Sequence, residues 1–276
     1  MLEITSKDNP KIKEFRKLCT SRKHRLLSQR FALEGARLVG DALKSDARLL
    51  TLFVTEAGIN RLGGDFDRLA VKARETLLIS DALAQGMAET ESPQGVFAIC
   101  EGRLFLPELP KAAPNGALLL CALQDPGNVG TIIRSAEAFG LSCVILTADC
   151  PDPAAPKVLR ASMGAVLRLP VYRADDAPAA VHALRQSGMA VYAAALGDGS
   201  LPVDTVSLCN AVVAIGNEGA GLPPDVQAAC TGRVILPMSA GSESLNAAMA
   251  ATVFAWELSR RARGGCMGDV KGAINR

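Results

Sequence analysis

The sequence predicts an α/β protein with two units, of which the larger contains a mainly parallel sheet. A chain of 276 residues is longer than the ~100–200 residues of a typical single domain. Short apolar runs alternate with helical patterns on both sides of a stretch that contains three prolines. We therefore expect an N-terminal unit at residues 1–102, a linker at 103–116, a second unit at 117–262 and a mobile tail at 263–276.

The N-terminal unit is predicted to begin with a basic helix. Asn9 and Pro10 form an N-cap and a first helical position, and Ile12, Phe15 and Leu18 then recur at helical spacing. Short apolar runs follow, with a helix-like segment after the first of them. The predicted strands are Phe31–Leu33, Leu49–Val54, Thr76–Ile79 and Gly95–Cys100, and the predicted helix is Arg37–Leu43.

The second unit is predicted to begin with a strongly apolar strand directly after the linker. Apolar runs separated by helical patterns indicate a parallel sheet that is covered on both faces. The predicted strands are Ala117–Leu123, Cys143–Thr147, Val191–Ala195, Ala211–Ile215 and Arg233–Leu236.

Positive charge is concentrated at the start of the chain. The formal net charge is +2, but residues 1–30 hold nine Lys or Arg and three acids, which gives +6 there and −4 for the other 246 residues. Clustered cations suit a polyphosphate partner, because neutralised phosphates release counterions. A solvated basic helix is the alternative explanation of the same residues.

Composition excludes several classes of protein. The eight cysteines form no CxxC pair, which argues against structural zinc. The two histidines, His24 and His182, lie in the basic run and on a predicted surface helix, so histidine-based catalysis is not expected. No signal-peptide core or apolar run of ~18 residues is present, so we expect a cytoplasmic protein without a membrane or metal partner.

The first polar segment, residues 125–140, lies where a strand ends and a helix begins. Gly127 and Gly130 allow the backbone to approach a ligand, and Asn128 lies near the helix N-terminus. Arg134, about one and a half turns later, can reach a phosphate or a reacting oxygen. An ordinary strand-helix turn with a surface arginine explains the same spacing, and the GxGxxG of a dinucleotide fold is absent.

The second polar segment, residues 214–225, also follows an apolar strand. Three glycines in six residues surround Glu218 and make a loop that exposes its backbone. Ligands collect at the carboxyl edge of open α/β sheets, which makes this loop a candidate binding element, although a plain turn has the same composition.

The third polar segment, residues 234–258, predicts a strand, a polar loop and a helix. Ser244 and Asn246 lie at the start of the helix and are the candidates for function. A single helical stripe is typical of a core or of a subunit interface, and here it consists of Leu245, Met249, Val253 and Trp256.

Together these segments resemble the motifs of the SpoU branch of the SPOUT RNA methyltransferases, in order and at suitable separations. The first motif matches from Asp125 to Gly140, the second as GNEGAGL, and the third as ILPM followed by ESLN. Ala240 and Ala247 replace the usual glycine and valine of the third motif, which leaves the shape of that loop open. Residues 31–39, FALEGARLV, resemble the start of a ribosomal-protein-like RNA-binding domain.

The resemblance implies a trefoil-knotted catalytic domain, a homodimer, and methyl transfer from S-adenosylmethionine to a ribose 2′-hydroxyl of structured ribosomal or transfer RNA. The residues that it places at the cofactor are Leu196, Gly216, Asn217, Gly219, Ile235, Leu236, Met238 and Leu245. The residues that it places at the reaction are Arg134, Asn128, Glu218, Ser244 and Asn246.

Arg134 has two possible roles under this resemblance. The corresponding arginine of the family has been proposed as a general base, but arginine stays protonated in proteins. We therefore favour Arg134 as a clamp on the neighbouring phosphate that stabilises developing negative charge, while the proton leaves to phosphate or water.

The first unit is expected to choose the RNA target through phosphate contacts and RNA shape. Its candidate RNA-binding residues are Arg16, Arg22, Lys23, Arg25 and Arg37. An open Rossmann-type methyltransferase, with Asp149 at the cofactor ribose, is disfavoured because GNVG does not match its GxGxG loop. A non-catalytic RNA-binding or ribosome-assembly factor is the alternative from another class, and the full set of polar motif residues argues against it. The RNA and the modified nucleotide remain open.

Overall fold

The computed structural model describes residues 1–239 and 245–263. It contains two compact units. The first consists of Met1–Leu104 together with Asp152–Arg168, and the second consists of Phe105–Pro151 and the described residues from Leu169 onward. Of the predicted tail, residues 264–276 lie outside the described part of the chain.

The secondary structure alternates strands and helices along both units. In chain order the strands are β1 (Leu2–Ile4), β2 (Arg30–Glu34), β3 (Arg48–Val54), β4 (Glu75–Ile79), β5 (Val96–Glu101), β6 (Ala117–Leu120), β7 (Cys143–Thr147), β8 (Val171–Ala174), β9 (Ala190–Ala194), β10 (Leu201–Pro202), β11 (Ala211–Ile215) and β12 (Gly232–Ile235). The α-helices are α1 (Pro10–Thr20), α2 (Arg22–Ser28), α3 (Ala36–Asp41), α4 (Glu56–Leu62), α5 (Asp65–Lys72), α6 (Asp81–Met87), α7 (Pro126–Phe139), α8 (Pro156–Ala161), α9 (Ala177–Gln186), α10 (Pro224–Ala229) and α11 (Ala247–Arg263).

The N-terminal unit is built on a mixed sheet with the strand order β1-β4-β3-β5-β2 within the described residues. Strands β1 and β3 run parallel to β4, whereas β5 runs antiparallel to β2 and β3. The predicted strands correspond to β2 through β5. Strand β1 has only three residues, too few for a periodic pattern, and was not predicted.

Helix α1 begins and packs as its sequence predicts. The Asn9 side chain accepts a hydrogen bond from the Lys11 amide at 2.9 Å, and the next residue is a proline that fits the first helical turn. Ile12, Phe15 and Leu18 are fully buried in the core of this unit. The helix therefore turns its apolar stripe inward and leaves Lys13 and Lys17 exposed at the surface, while Lys11 and Arg16 are half-buried.

The second unit is built on a parallel sheet with the order β10-β12-β9-β11-β6-β7-β8 in the described part of the chain. Every pairing in this sheet is parallel, as the apolar runs predicted. Strands β8 and β10 were not predicted because both are short and contain polar or proline residues. The order places β11 between β6 and β9, so the loops after these three strands lie side by side.

Residues 105–116 belong to the second unit and are not a free tether. The Leu106 amide donates to the Val171 carbonyl at 2.8 Å, and the Arg173 amide donates to the Leu106 carbonyl at 3.0 Å, beside β8. Ala113 is fully buried in the hydrophobic core of this unit. This stretch is therefore a packed part of the second unit.

The segment Asp152–Arg168, which follows β7 in the sequence, packs with the N-terminal unit. Three of its residues form ion pairs there: Asp152 with Arg25 at 2.7 Å, Arg160 with Glu89 at 3.1 Å, and Arg168 with Asp41 at 3.0 Å. Sequence position alone assigned this segment to the second unit. Contacts between residues more than 70 positions apart are not visible in local patterns.

Arg25 is a correction to the predicted RNA-binding set. Its side chain is 6% exposed, and besides the pair with Asp152 it donates to the backbone carbonyl of Leu18 at 2.7 Å. A guanidinium that is already neutralised and desolvated in this way is not available to a phosphate. Arg25 is therefore a structural residue of the N-terminal unit.

Candidate active site

Two loops meet at the carboxyl edge of the parallel sheet, after β6 and after β11. Ile215 lies opposite Leu120 at the ends of these strands, and the Cys121 amide continues the ladder by donating to the Ile215 carbonyl at 2.8 Å. Neighbouring parallel strands deliver their following loops to the same edge, where ligands bind in open α/β sheets. The first two polar segments of the sequence are thereby brought together.

The loop after β11 is closed by its own backbone and by one amide side chain. Asn217 and Gly221 exchange two backbone hydrogen bonds of 3.0 and 2.9 Å. The Asn217 side chain accepts from the Gly219 amide at 2.9 Å and donates to the Ala122 carbonyl at 2.8 Å. A Cβ at Gly216 would lie 2.2 Å from the carbonyl carbon of Gly221, so this close approach of two backbones requires glycine.

Glu218 joins this loop to the start of α7. Its carboxylate accepts hydrogen bonds from the Gln124 amide at 3.1 Å, the Asp125 amide at 3.4 Å and the Asn128 side chain at 2.9 Å. Burial acts to raise the pKa of Glu218, but these hydrogen bonds outweigh it and hold the pKa below its usual value. The ionised carboxylate therefore fixes Asn128 at the positive end of the helix.

The third polar segment reaches the same place through Asn246. Its side-chain nitrogen donates to the Asn128 side-chain oxygen at 3.3 Å, and its oxygen accepts from the Ala248 amide at 2.9 Å at the start of α11. The chain Glu218–Asn128–Asn246 thus joins three segments that lie far apart in the sequence. We call these three residues the polar hub. Ser244, which the sequence places beside them, lies outside the described residues.

Arg134 lies on α7 six residues after Asn128, which corresponds to about 9 Å along the helix axis. Its side chain is exposed and makes no hydrogen bond or ion pair within residues 1–239 and 245–263. The structure therefore does not bring Arg134 into the polar hub. The Arg134 guanidinium is therefore accessible to an anionic ligand that binds beside α7.

The residues predicted at the cofactor follow β9, β11 and β12, which are neighbours in the sheet. Leu196 is 69% exposed, Met238 38% and Leu245 43%, so three large apolar side chains face solvent in the segments around this edge. Ile235 and Leu236 are half-buried at the end of β12. Apolar side chains beside loops that expose their backbone are the usual lining of a small-molecule site.

Two residues that sequence reasoning missed support the loop after β6. Ala122 has a φ of +55°, a left-handed conformation that is uncommon outside glycine. Its amide donates to the Thr147 hydroxyl at 3.0 Å, at the end of β7. An alanine carries no signal for positive φ, so only the surrounding structure shows this constraint.

The predicted apolar stripe of α11 lies at the surface of the second unit and not in its core. Met249 is 64% exposed, Val253 41% and Trp256 45%, while Phe254 and Leu258 are buried on the other face. The Trp256 ring meets the Phe139 ring edge-on at 5.5 Å. The core interpretation of this stripe is therefore wrong, and the interface interpretation stays a prediction.

The remaining RNA-binding candidates lie at the surface of the N-terminal unit. Arg22, Lys23 and Arg37 are exposed, and Arg16 is half-buried because its side chain donates to the Gly86 carbonyl at 2.9 Å. Arg22, Lys23 and Arg37 are therefore accessible to a phosphate of the RNA.

The described residues contain neither a cluster of metal-ligating side chains nor a helix suited to cross a membrane. No group of three or more His, Cys, Asp or Glu side chains there is arranged to hold a metal ion. No helix in the part of the chain that the structure describes has the length and apolar character that crossing a membrane requires.

Comparison with known proteins gives two family matches. Residues 116–256 match the SpoU rRNA Methylase family, and residues 9–98 match the MRM3-like substrate binding domain. A 23S rRNA (guanosine(2553)-2′-O)-methyltransferase of Bacillus subtilis is 33% identical over 258 residues, which are 94% of this chain and 99% of that protein. The human mitochondrial rRNA methyltransferase 3 is 36% identical over 162 residues, 55% of this chain and 36% of its own length.

Solved structures show the same fold. An AdoMet-bound rRNA methyltransferase from Sinorhizobium meliloti has a TM-score of 0.83 at 31% identity and covers 94% of this chain and 97% of its own. The SpoU methyltransferase AviRb from Streptomyces viridochromogenes, in complex with AdoMet, has a TM-score of 0.80 at 27% identity and covers 93% and 99%. Both similarities extend over the two units.

Proposed function

We propose that this chain, which belongs to the SpoU rRNA methylase family, methylates a ribose 2′-hydroxyl of ribosomal RNA at the carboxyl edge of its parallel sheet. It is an RNA 2′-O-methyltransferase that uses S-adenosylmethionine. The observation that carries the assignment of the site is the polar hub, because Glu218, Asn128 and Asn246 come from three separate motifs and meet through direct hydrogen bonds. Ribosomal rather than transfer RNA is favoured by the relative from Bacillus subtilis, which matches over nearly its whole length.

The segments after β9, β11 and β12 fit the cofactor. The tight approach of Gly216 to Gly221 leaves a loop with exposed backbone, and Leu196, Met238 and Leu245 offer apolar surface around it. The other residues assigned to this site are Asn217, Gly219, Ile235 and Leu236. S-adenosylmethionine, when bound, supplies a methyl group on a sulfonium that a weak nucleophile can attack.

Arg134 acts on the RNA in this proposal. Its exposed guanidinium is available to clamp the phosphate next to the target ribose and to stabilise negative charge as the 2′-oxygen loses its proton. The proton leaves to phosphate or water, because arginine stays protonated in proteins. Asn128 and Asn246 orient the ribose, and Glu218 positions Asn128.

Target choice belongs to the N-terminal unit. Arg22, Lys23 and Arg37 contact phosphates and contribute a salt-dependent part of the affinity for RNA. Residues 9–98 match a substrate binding domain, which supports this division of roles.

A homodimer, a trefoil knot and a cytoplasmic location complete the proposal. The dimer is supported by the exposed apolar stripe of α11, since Met249, Val253 and Trp256 form a surface that suits a subunit interface. The knot and the location follow from the family resemblance. Light scattering compares the molar mass of Val253→Arg with that of the wild type. A dimeric mass in the wild type that is lost in Val253→Arg supports this interface. A variant that keeps the dimeric mass shows that this face of α11 is not the subunit interface.

Transfer of labelled methyl from S-adenosylmethionine to unmodified ribosomal RNA, with transfer RNA in parallel, tests the proposed substrate. We expect label in ribosomal RNA and none in transfer RNA, and loss of that label in Arg134→Ala. Lys111→Ala, at an exposed cation of the second unit outside the three motifs, is the control. Label in transfer RNA alone contradicts the choice of ribosomal RNA and leaves the reaction class intact.

A further inference from the structure

The N-terminal unit contains a cavity of about 350 Å³ that the reaction described above does not use. Its walls come from the end of β2, from α3, from the loop before β5 and from α8 with the turn that follows it. Its lining residues are Glu34, Gly35, Arg37, Leu38, Thr90, Ser92, Gln94, Leu159, Arg160 and Met163. We call it the Glu34 cavity. Its volume is in the lower part of the range for small-molecule sites, ~300–1,000 Å³.

One side of the Glu34 cavity is apolar and held in place by the backbone. Leu38 and Leu159 are buried, and Met163 is half-buried. Met163 has a φ of +49°, which is an uncommon and costly conformation for a side chain other than glycine. Backbone strain of this kind concentrates at ligand sites, and here it places a flexible apolar side chain on the wall.

A buried carboxylate lies among these apolar groups. The Glu34 side chain is 9% exposed, and its two oxygens accept from the Glu89 amide at 3.0 Å and the Thr90 hydroxyl at 2.5 Å, with Arg160 at 3.9 Å. A carboxylate has about four lone-pair positions, so acceptor capacity remains after these contacts. The group that enters the cavity must therefore donate hydrogen bonds rather than carry negative charge.

Donors complete the lining. The Gln94 side-chain oxygen accepts from the Ala36 amide at 2.8 Å, which leaves the amide nitrogen of Gln94 as a donor. Arg37 is exposed and has no ion-pair partner within the described residues. An acceptor beside two donors on an apolar wall matches the edge of a nucleobase.

We propose that the Glu34 cavity binds an unpaired guanine of the RNA substrate, an inference that rests on the proposed function. Guanine presents two adjacent N–H donors to the carboxylate and an acceptor to Gln94, while its faces contact Leu38 and Met163 and the exposed Arg37 donates to the adjoining phosphate. A phosphate is disfavoured because Glu34 repels it, and adenine offers the carboxylate fewer donors on that edge. Sequence-specific RNA recognition commonly takes unpaired bases out of loops in this way.

The test uses nucleotides as probes and does not require methyl transfer. Saturation-transfer NMR of the full chain with GMP, and separately with AMP, compares the wild type with Ser92→Trp, which fills the mouth from an exposed loop position. Glu34→Gln removes the carboxylate without changing its size. Ala82→Trp, at an exposed position of α6 outside the cavity lining, is the matched control.

We expect the GMP signal to exceed the AMP signal by about fivefold in the wild type and in Ala82→Trp, and to fall by at least about fivefold in Ser92→Trp and Glu34→Gln. Equal signals from GMP and AMP, no signal from GMP, or a GMP signal that survives Ser92→Trp overturns the proposal. Failure of methyl transfer with this GMP pattern intact counts against the proposed function alone.

Discussion

Two arginines show how differently the two units use the same side chain. Arg25 of the N-terminal unit is 6% exposed and ion-paired with Asp152, whereas Arg134 of the second unit is exposed and without a partner in the described residues. A buried guanidinium stabilises a fold only in combination with its charged partner. An exposed, unpaired guanidinium has little effect on the free energy of unfolding and is free to bind an anion. Environment therefore decides the role of each residue, and charge alone does not.

The same contrast extends to the surrounding structure. In the N-terminal unit, ion pairs attach the segment Asp152–Arg168, which the sequence pattern does not predict. At the sheet edge of the second unit, hydrogen bonds between motif residues form an exposed hub. The ion pairs of the N-terminal unit contribute to stability, and the polar hub contributes to catalysis. Substitutions in the ion pairs are therefore expected to change the free energy of unfolding, and substitutions in the hub are expected to change kcat.

The largest effect is expected from separating Arg25 and Asp152. Arg25→Ala leaves a buried carboxylate without its partner, which costs about 3–5 kcal/mol in the free energy of unfolding. Urea denaturation measures this loss. The double variant Arg25→Met with Asp152→Leu recovers most of it, because two apolar groups replace the pair. Unchanged stability in Arg25→Ala contradicts the buried pair.

The next largest effect is expected at Arg134. Arg134→Ala lowers kcat by about 10²–10³-fold, as loss of a charge-stabilising donor does at other sites, and leaves the free energy of unfolding near the wild-type value. Arg134→Lys keeps the positive charge and retains substantial activity if the residue is a clamp. Steady-state methyl transfer measures both variants. Near-complete loss in Arg134→Lys, with activity of the wild type still rising at high pH, favours the base instead.

Glu218 is expected to have an intermediate effect that depends on pH. Hydrogen bonds hold its pKa below the usual value of 4.5, so its contribution to stability is present above that value and is lost as the pH falls through the lowered pKa. Glu218→Gln removes this acid dependence and lowers kcat by about tenfold, because Asn128 loses a charged partner. Unfolding followed as the pH is lowered from neutral through the acid range, together with kcat at neutral pH, tests both parts. An unchanged acid profile contradicts the role of Glu218.

The smallest effect per residue is expected on the basic surface. Alanine at Arg22, Lys23 and Arg37 together weakens RNA binding and reduces the salt slope by about 0.7–0.9 for each phosphate contact that is lost. Arg68→Ala, an exposed arginine paired with Asp65 in the same unit, is the control. Binding of RNA at several salt concentrations measures the slope. If the salt slope of the triple variant equals that of the wild type, the RNA phosphates do not contact these three residues.

The sequence predicted the elements that have strong periodicity or clear end signals. Helix α1 follows its N-cap and apolar stripe, and β11 has the predicted bounds. Short elements such as β1 and β10 have too few residues to form a pattern. The exposed stripe of α11 was ambiguous because periodicity shows that residues share a face but not what covers that face.

The candidate site was predictable where its residues carry their own motif. Asn128, Glu218 and Asn246 were selected from the sequence, and their contacts show only in the fold, since the pairs lie 90 and 118 positions apart. The positive φ of Ala122 has no signal in the residue type. Burial of Arg25 was missed because its partner, Asp152, lies 127 positions away.

The most direct test of this division of roles is single-turnover methyl transfer at saturating unmodified ribosomal RNA and S-adenosylmethionine. The triple variant of Arg22, Lys23 and Arg37 is expected to reach the wild-type rate once RNA saturates it, because only binding is impaired. Arg134→Ala is expected to stay slower by about 10²-fold or more at every RNA concentration. Recovery of Arg134→Ala at saturation, or a triple variant that stays slow, would contradict the assignment of chemistry to the sheet edge and of RNA binding to the N-terminal unit.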